Sequence, residues 1–171
     1  MALLDILEAP DRRLTTVAAP VERIDDELLR MLDDMLETMY AAPGIGLAAP
    51  QVGVLRRAFV ADLGEDGERA PLFVINPELV TRSASVAVAE EGCLSLPKQF
   101  GEVARADQVR VRYLDRRGKN QEIEAEGLLA RCLQHEIDHL NGILFVDHLS
   151  ALKRTMILRR LTKAKRARQS A

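Results

Sequence analysis

The 171-residue chain is poor in the residues that would signal several common classes. It has no tryptophan, four Phe, two Tyr, two cysteines (Cys93 and Cys132) and three histidines. Two cysteines in a chain of this size exclude a disulfide framework, so each thiol needs another explanation. No apolar run approaches the roughly 18 residues of a membrane-spanning helix. The opening stretch MALLDILEAPDRRL has no basic region before its apolar residues, and Asp5 and Glu8 interrupt them. This is not the shape of a secretory signal, and the expected compartment is the cytoplasm. None of the aromatic residues falls after Asp147, which excludes base stacking by the C-terminal segment.

What is present is ordinary in bulk and uneven in detail. Apolar residues make up 47% and charged residues 29%, as in an average soluble domain. The length suits one domain, residues 1–171, large enough to bury its own core. The net charge of −2 conceals an asymmetry: residues 148–171 hold eight Lys/Arg and no Asp/Glu, leaving 16 basic against 26 acidic residues elsewhere. A −10 body with a +8 helix and tail suggests an anionic partner for the tail.

Periodicity predicts a helix over 25–42, with Asp25 and Asp26 at its start and Leu28, Leu32, Met35, Leu36 and Met39 at helical spacing. Strands are predicted over 56–63, over 72–80 (with Pro77 breaking the strand or placing it at an edge), over 108–115 and after the turn at 116–119. The stretch 83–90 alternates, and Cys93 falls in a turn at the strand's end. Helices are predicted over 127–140 and 150–165, the last with Leu152, Met156, Ile157, Leu161 and Ala164 as its apolar stripe. This order implies an α+β fold with mostly antiparallel sheets and a C-terminal amphipathic helix.

The sharpest motif is His135-Glu136-Ile137-Asp138-His139, H-E-x-x-H. On a helix, positions i and i+4 share a face, so both imidazoles can meet one metal ion while the intervening Glu reaches a water. Two histidines leave such a site incomplete. His148 does not fit the spacing of a downstream third ligand, which leaves the cysteines: Cys132 on the same helix, or Cys93 in its turn beside Gly92. Cys132 also reads as a small buried apolar residue. In GIGLAAPQ (44–51), the glycines resemble a dinucleotide fingerprint, but a helix precedes and a strand follows, the reverse of what that fingerprint needs. They fit close backbone approach to a ligand instead, with the Gln51 amide beside it.

GIGLAAPQ, EGCLS (91–95) and HEIDHLNG (135–142), in that order, resemble the three signature motifs of the peptide deformylases, and the likeness runs from about Asp5 to Lys165. It implies a central metal-bearing helix, with Cys93, His135 and His139 as metal ligands and Glu136 as general acid/base. The implied reaction removes the N-formyl group from the formyl-methionine of nascent polypeptides and releases formate. The Gln51 amide and the Leu94 N–H would steady the oxyanion. Ile45, Gly46 and Gly92 would contact the peptide backbone, and Leu128, Arg131, Cys132 and His135 would line the methionine pocket. Glu91 would pair with Arg105 and brace the Cys93 turn. Arg131 stands where an aliphatic residue is expected, and Phe100 where better-known bacterial members carry arginine. The implied metal is Fe2+, for which Zn2+, Ni2+ or Co2+ can substitute. The implied partners are formyl-methionyl peptides and, through the basic tail, the ribosome; the protein is expected to be a monomer with no membrane association. A zinc endopeptidase built on H-E-x-x-H is the competing reading, but it leaves GIGLAAPQ and EGCLS without purpose. A non-catalytic metal module leaves Glu136 without one.

Overall fold

In the computed structural model, which describes residues 2–170, helix α1 (Asp26–Ala41) starts where Asp25 accepts a hydrogen bond from the Leu28 N–H at 2.9 Å. That cap satisfies one of the free donors at the helix start. Then follow β1 (Gly46–Ala48), a short 3-10 turn (Ala49–Val52), β2 (Ala58–Ala61), β3 (Leu72–Arg82), β4 (Val86–Cys93), β5 (Leu96–Ala106), β6 (Gln108–Leu114) and β7 (Asn120–Glu126). Helix α2 (Gly127–Leu140) and helix α3 (Ala151–Ser170) complete the chain. Five strands form one sheet in the order β1-β2-β3-β6-β7, and β4 and β5 form a separate two-stranded hairpin. Every strand pair is antiparallel, in keeping with the α+β reading.

Strand alternation divides the core. Leu47, Val60 and Ile75 face α1, meeting Leu32, Met35 and Met39. Ala48, Phe59, Val74, Val109 and Val111 face α2, meeting Leu133, Ile137 and Leu140. Leu133 and Leu140 are fully buried, each worth about 1.5–3 kcal/mol of apolar burial. Helix α2 therefore passes through the middle of the molecule, with the large sheet on one side and the hairpin on the other. A third cluster joins the hairpin (Leu96, Val103) to Phe145, Val146 and α3.

The structure corrects three details. Pro77 neither ends its strand nor marks an edge: β3 is central and continues through a register shift between Ile75 and Glu78, where Asn76 has φ 50° and its side chain bonds Val21. A bulge tolerates the missing N–H that a regular central ladder would not. Strand β5 is not legible as such, because Pro97, Gly101 and charged residues obscure its alternation. In α3 only Ile157 and Leu161 of the expected stripe are buried; Leu152 and Met156 are exposed. The helix buries apolar side chains along about two turns, and its last turn is tied to the body by the Arg168–Glu8 ion pair at 2.6 Å.

Candidate metal centre and catalytic cleft

Cys93 ends β4, where the β4–β5 register shifts from Gly92↔Phe100 to Cys93↔Leu96. Such a bulge re-aims a side chain, and here it carries Sγ to 3.3 Å from His139 Nε2. The His139 and His135 Nε2 atoms lie 3.2 Å apart. The three donor atoms all lie within 4.8 Å of one another. A tetrahedral ion with metal–nitrogen bonds near 2.0–2.1 Å and a metal–sulfur bond near 2.3 Å spaces its donors roughly 3.4–3.6 Å apart. The thiol and two imidazoles thus fit a transition-metal ion. Cys132, the other cysteine weighed as a ligand, is outside this group; it is buried in the cleft wall near the Ile45 carbonyl.

Burial holds His139 well below its usual range, in the neutral form that ligates metal. For His135, burial also opposes charge, but hydrogen bonds to Cys93 and Glu91 outweigh it and raise the value. His135 Nδ1 meets Glu91 Oε1 at 2.9 Å, and Arg105 grips the same carboxylate through Nε at 2.6 Å and Nη2 at 2.9 Å. Burial alone would raise Glu91; the hydrogen bonds of His135 and Arg105 reverse this and hold it well below the usual carboxylate range. Glu91 therefore fixes the His135 imidazole, in the arrangement that carboxylates take behind metal-bound histidines. Arg105 also reaches Asp138 at 2.8 Å, which His148 contacts at 2.8 Å.

Glu136 is 4% exposed, and burial raises its carboxyl to about 7. Among the buried side-chain atoms of the described residues, only Glu136 Oε1 and His139 Nδ1 have no hydrogen-bond partner. The backbone of β1 passes so close that a Cβ on Gly46 would lie 2.6 Å from Glu136 Oε2, which explains why glycine stands there. Gln51 accepts from the Ala48 N–H at 2.9 Å and donates through Nε2 to Ser95 Oγ at 3.0 Å and to Cys93 Sγ at 3.5 Å. Its amide is thereby fixed beside the metal donors.

These groups open onto a cleft of about 760 Å³. Ile45, Gly46, Gln51, Glu91, Gly92, Cys93 and Leu94 line it from one side, and Leu128, Arg131, Cys132, His135 and Glu136 from α2. His139 lies behind, 1% exposed. Phe100 stands at the rim, 59% exposed, covering Gly92 so closely that a Cβ there would come within 2.7 Å of the ring. The side chain of Glu91, expected in the substrate set, is committed to His135, Arg105 and Arg131, with 5% of it exposed. Sequence reasoning missed Ser95, which holds Gln51, and Asp138, which holds Arg105; the only trace of the latter was an acid inside the helical motif.

The polypeptide deformylase family model matches residues 3–155. A peptide deformylase of Rhizorhabdus wittichii is 55% identical, with all of both chains covered. One of Alkalilimnicola ehrlichii is 59% identical over 95% of this chain and 91% of its own. Among solved structures, the Legionella pneumophila peptide deformylase superposes with a TM-score of 0.92 at 50% identity, covering 99% of each chain. The Ehrlichia chaffeensis enzyme in complex with actinonin gives 0.93 at 43% identity, covering 97% of this chain and 99% of its own. Motif order, fold and full-length likeness agree, and the chain belongs to the polypeptide deformylase family.

Proposed function

We propose that this metallohydrolase removes the N-formyl group from the formyl-methionine of newly synthesised proteins, with Cys93, His135 and His139 holding the metal and Glu136 moving the protons. The observation that carries the reading is a buried, partnerless carboxylate beside a Cys/His/His donor cluster at the end of an open cleft. A divalent ion there supplies a Lewis acid that brings the ionisation of water toward neutral pH. Glu136, raised to about 7, takes a proton from the attacking water and returns it to the departing amine. Formyl amide and water thus become formate and a free N-terminus. The Gln51 amide and the Leu94 N–H donate to the oxygen on which charge develops; losing one such donor typically costs about 100- to 1,000-fold.

Ile45, Gly46 and Gly92 offer backbone groups to an extended peptide. Leu128, Cys132 and the stem of Arg131 receive the methionine side chain. The metal is Fe2+; the Cys/His/His set also accepts Zn2+, Ni2+ or Co2+. The expected result is formate release from formyl-Met-Ala-Ser, with iron- or nickel-loaded protein far ahead of zinc-loaded protein, and no cleavage of an unformylated internal peptide. Internal cleavage would favour an endopeptidase, and equal rates with every metal would overturn the iron assignment.

We further propose one cytoplasmic domain acting as a monomer, with residues 148–171 as its basic extension. Among the described residues no helix is long and apolar enough to cross a membrane. Ile157 and Leu161 of the extension are buried against the body. Lys153, Arg159 and Lys163 are exposed on α3 and suit contact with ribosomal RNA phosphates. Deleting α3 would strip the third core cluster, so the discriminating variant reverses those three charges to Glu. Its ribosome co-sedimentation is expected to weaken and its small-peptide turnover to remain; unchanged co-sedimentation would defeat the docking.

A further inference from the structure

Arg131 lies one helical turn before His135 on α2, and its charged end points away from an apolar role. Nη1 donates to Glu91 Oε2 at 2.5 Å and to the Val103 carbonyl at 2.9 Å, and Nη2 donates to the Ala87 carbonyl at 2.8 Å. Only 11% of the side chain is exposed. One guanidinium therefore holds three acceptors: a carboxylate that contacts a metal-ligand imidazole, and one carbonyl on each strand of the β4–β5 hairpin. The donors of the metal centre come from two separate elements. Cys93 sits on the hairpin, and His135 and His139 sit on α2.

We infer that Arg131 is a positioning residue for the metal centre, clamping the hairpin that bears Cys93 to the helix that bears His135 and His139 and fixing the Glu91 carboxylate against His135. Arg105 binds both oxygens of Glu91 from the hairpin side. Arg131 adds a donor from α2 to the oxygen that His135 does not use, so the carboxylate is held from both elements while its other oxygen meets His135 Nδ1. A lysine carries the charge but not the fork, and cannot hold the carboxylate and both carbonyls in one geometry. The arrangement also joins the two jobs of the residue: its stem walls the cleft while its head holds the metal ligands in register.

This inference rests on Cys93, His135 and His139 being the ligands; wild-type protein that took up no metal would overturn that assignment first. The test uses the full chain loaded with Ni2+ and compares wild type, R131M and R131K. R131M keeps the stem and loses the head. Its metal is expected to pass to a chelator about 10- to 100-fold faster, the usual cost of losing a group that orients a ligand. Its kcat on formyl-Met-Ala-Ser is expected to fall while KM stays close to wild type, and amide exchange in the hairpin to quicken. R131K is expected to lose metal at a rate between the two. Metal loss at the wild-type rate in R131M, with the damage confined to KM, would reduce Arg131 to a pocket wall and overturn the inference. Should R131M fail to fold, wild-type metal loss and hairpin exchange in R131K would overturn it equally.

Discussion

Replacing Glu136 by Ala is expected to lower kcat for formate release by about 100- to 10,000-fold, the range of a lost general acid/base, while the metal content per chain stays at the wild-type level. The carboxylate is not among the three clustered donors, so its removal leaves the ion in place. It is buried, is raised by that burial to about 7, and has an oxygen with no partner in the protein. A side chain kept in that state is available for proton transfer near neutral pH rather than for holding the fold. Retained activity in the metal-replete variant would sink this mechanism. The same group has a stability signature in the metal-free protein. Its folded value lies above the ordinary 4.5, so the stability it contributes is fully present below 4.5 and is lost as the pH rises through about 7. E136Q should therefore gain on the parent in denaturant titrations as the pH passes from below to above that window.

Cys93→Ala is expected to abolish both metal retention and turnover, with a larger loss than the roughly 10- to 100-fold typical of removing a partner behind a ligand. Two imidazoles one helical turn apart are then left without the third donor that completes such a site. Gln51 Nε2 and His139 Nε2 lose a neighbour at 3.5 and 3.3 Å. Cys132→Ala is the matched control. Cys132 is also buried, and burial followed by the nearby Glu136 and Glu91 charges pushes its thiol well up, keeping it protonated and a poor ligand. Metal analysis alongside the formate assay decides the matter: a C93A protein that holds a full equivalent of metal, or a C132A protein that loses it, would overturn the ligand assignment.

The metal helix was readable almost residue by residue, because 127–140 carries helical spacing, a glycine start and an Asn-Gly stop, and the observed α2 spans Gly127–Leu140. β6, β7 and α1 were readable for the same reason: one face of each meets the core, so a period of 2 or 3.6 is written into the residues. β5 and the exposed half of α3 were not. β5 belongs to a two-stranded hairpin whose exposed positions face solvent, and α3 buries only Ile157 and Leu161 of its apolar residues, so neither carries a full apolar stripe.

The sequence by itself determined the strand and helix order of most of the body, the pairing of His135 with His139, the presence of an acid between them, and the −10/+8 division of charge. These are local properties, set by spacing along one element or by composition. The meeting of Cys93 with the two histidines, the orientation of His135 and the contacts of Arg131 with the hairpin appear only in the tertiary structure. Cys93 meets His139 across 46 residues, and Glu91 meets His135 across 44. A bulge at Gly92/Cys93 aims the first, and a carboxylate shared by two arginines aims the second. Contacts of that length depend on how the hairpin docks against α2. That docking follows from core packing and from a few hydrogen bonds between elements, which no periodicity along the chain records.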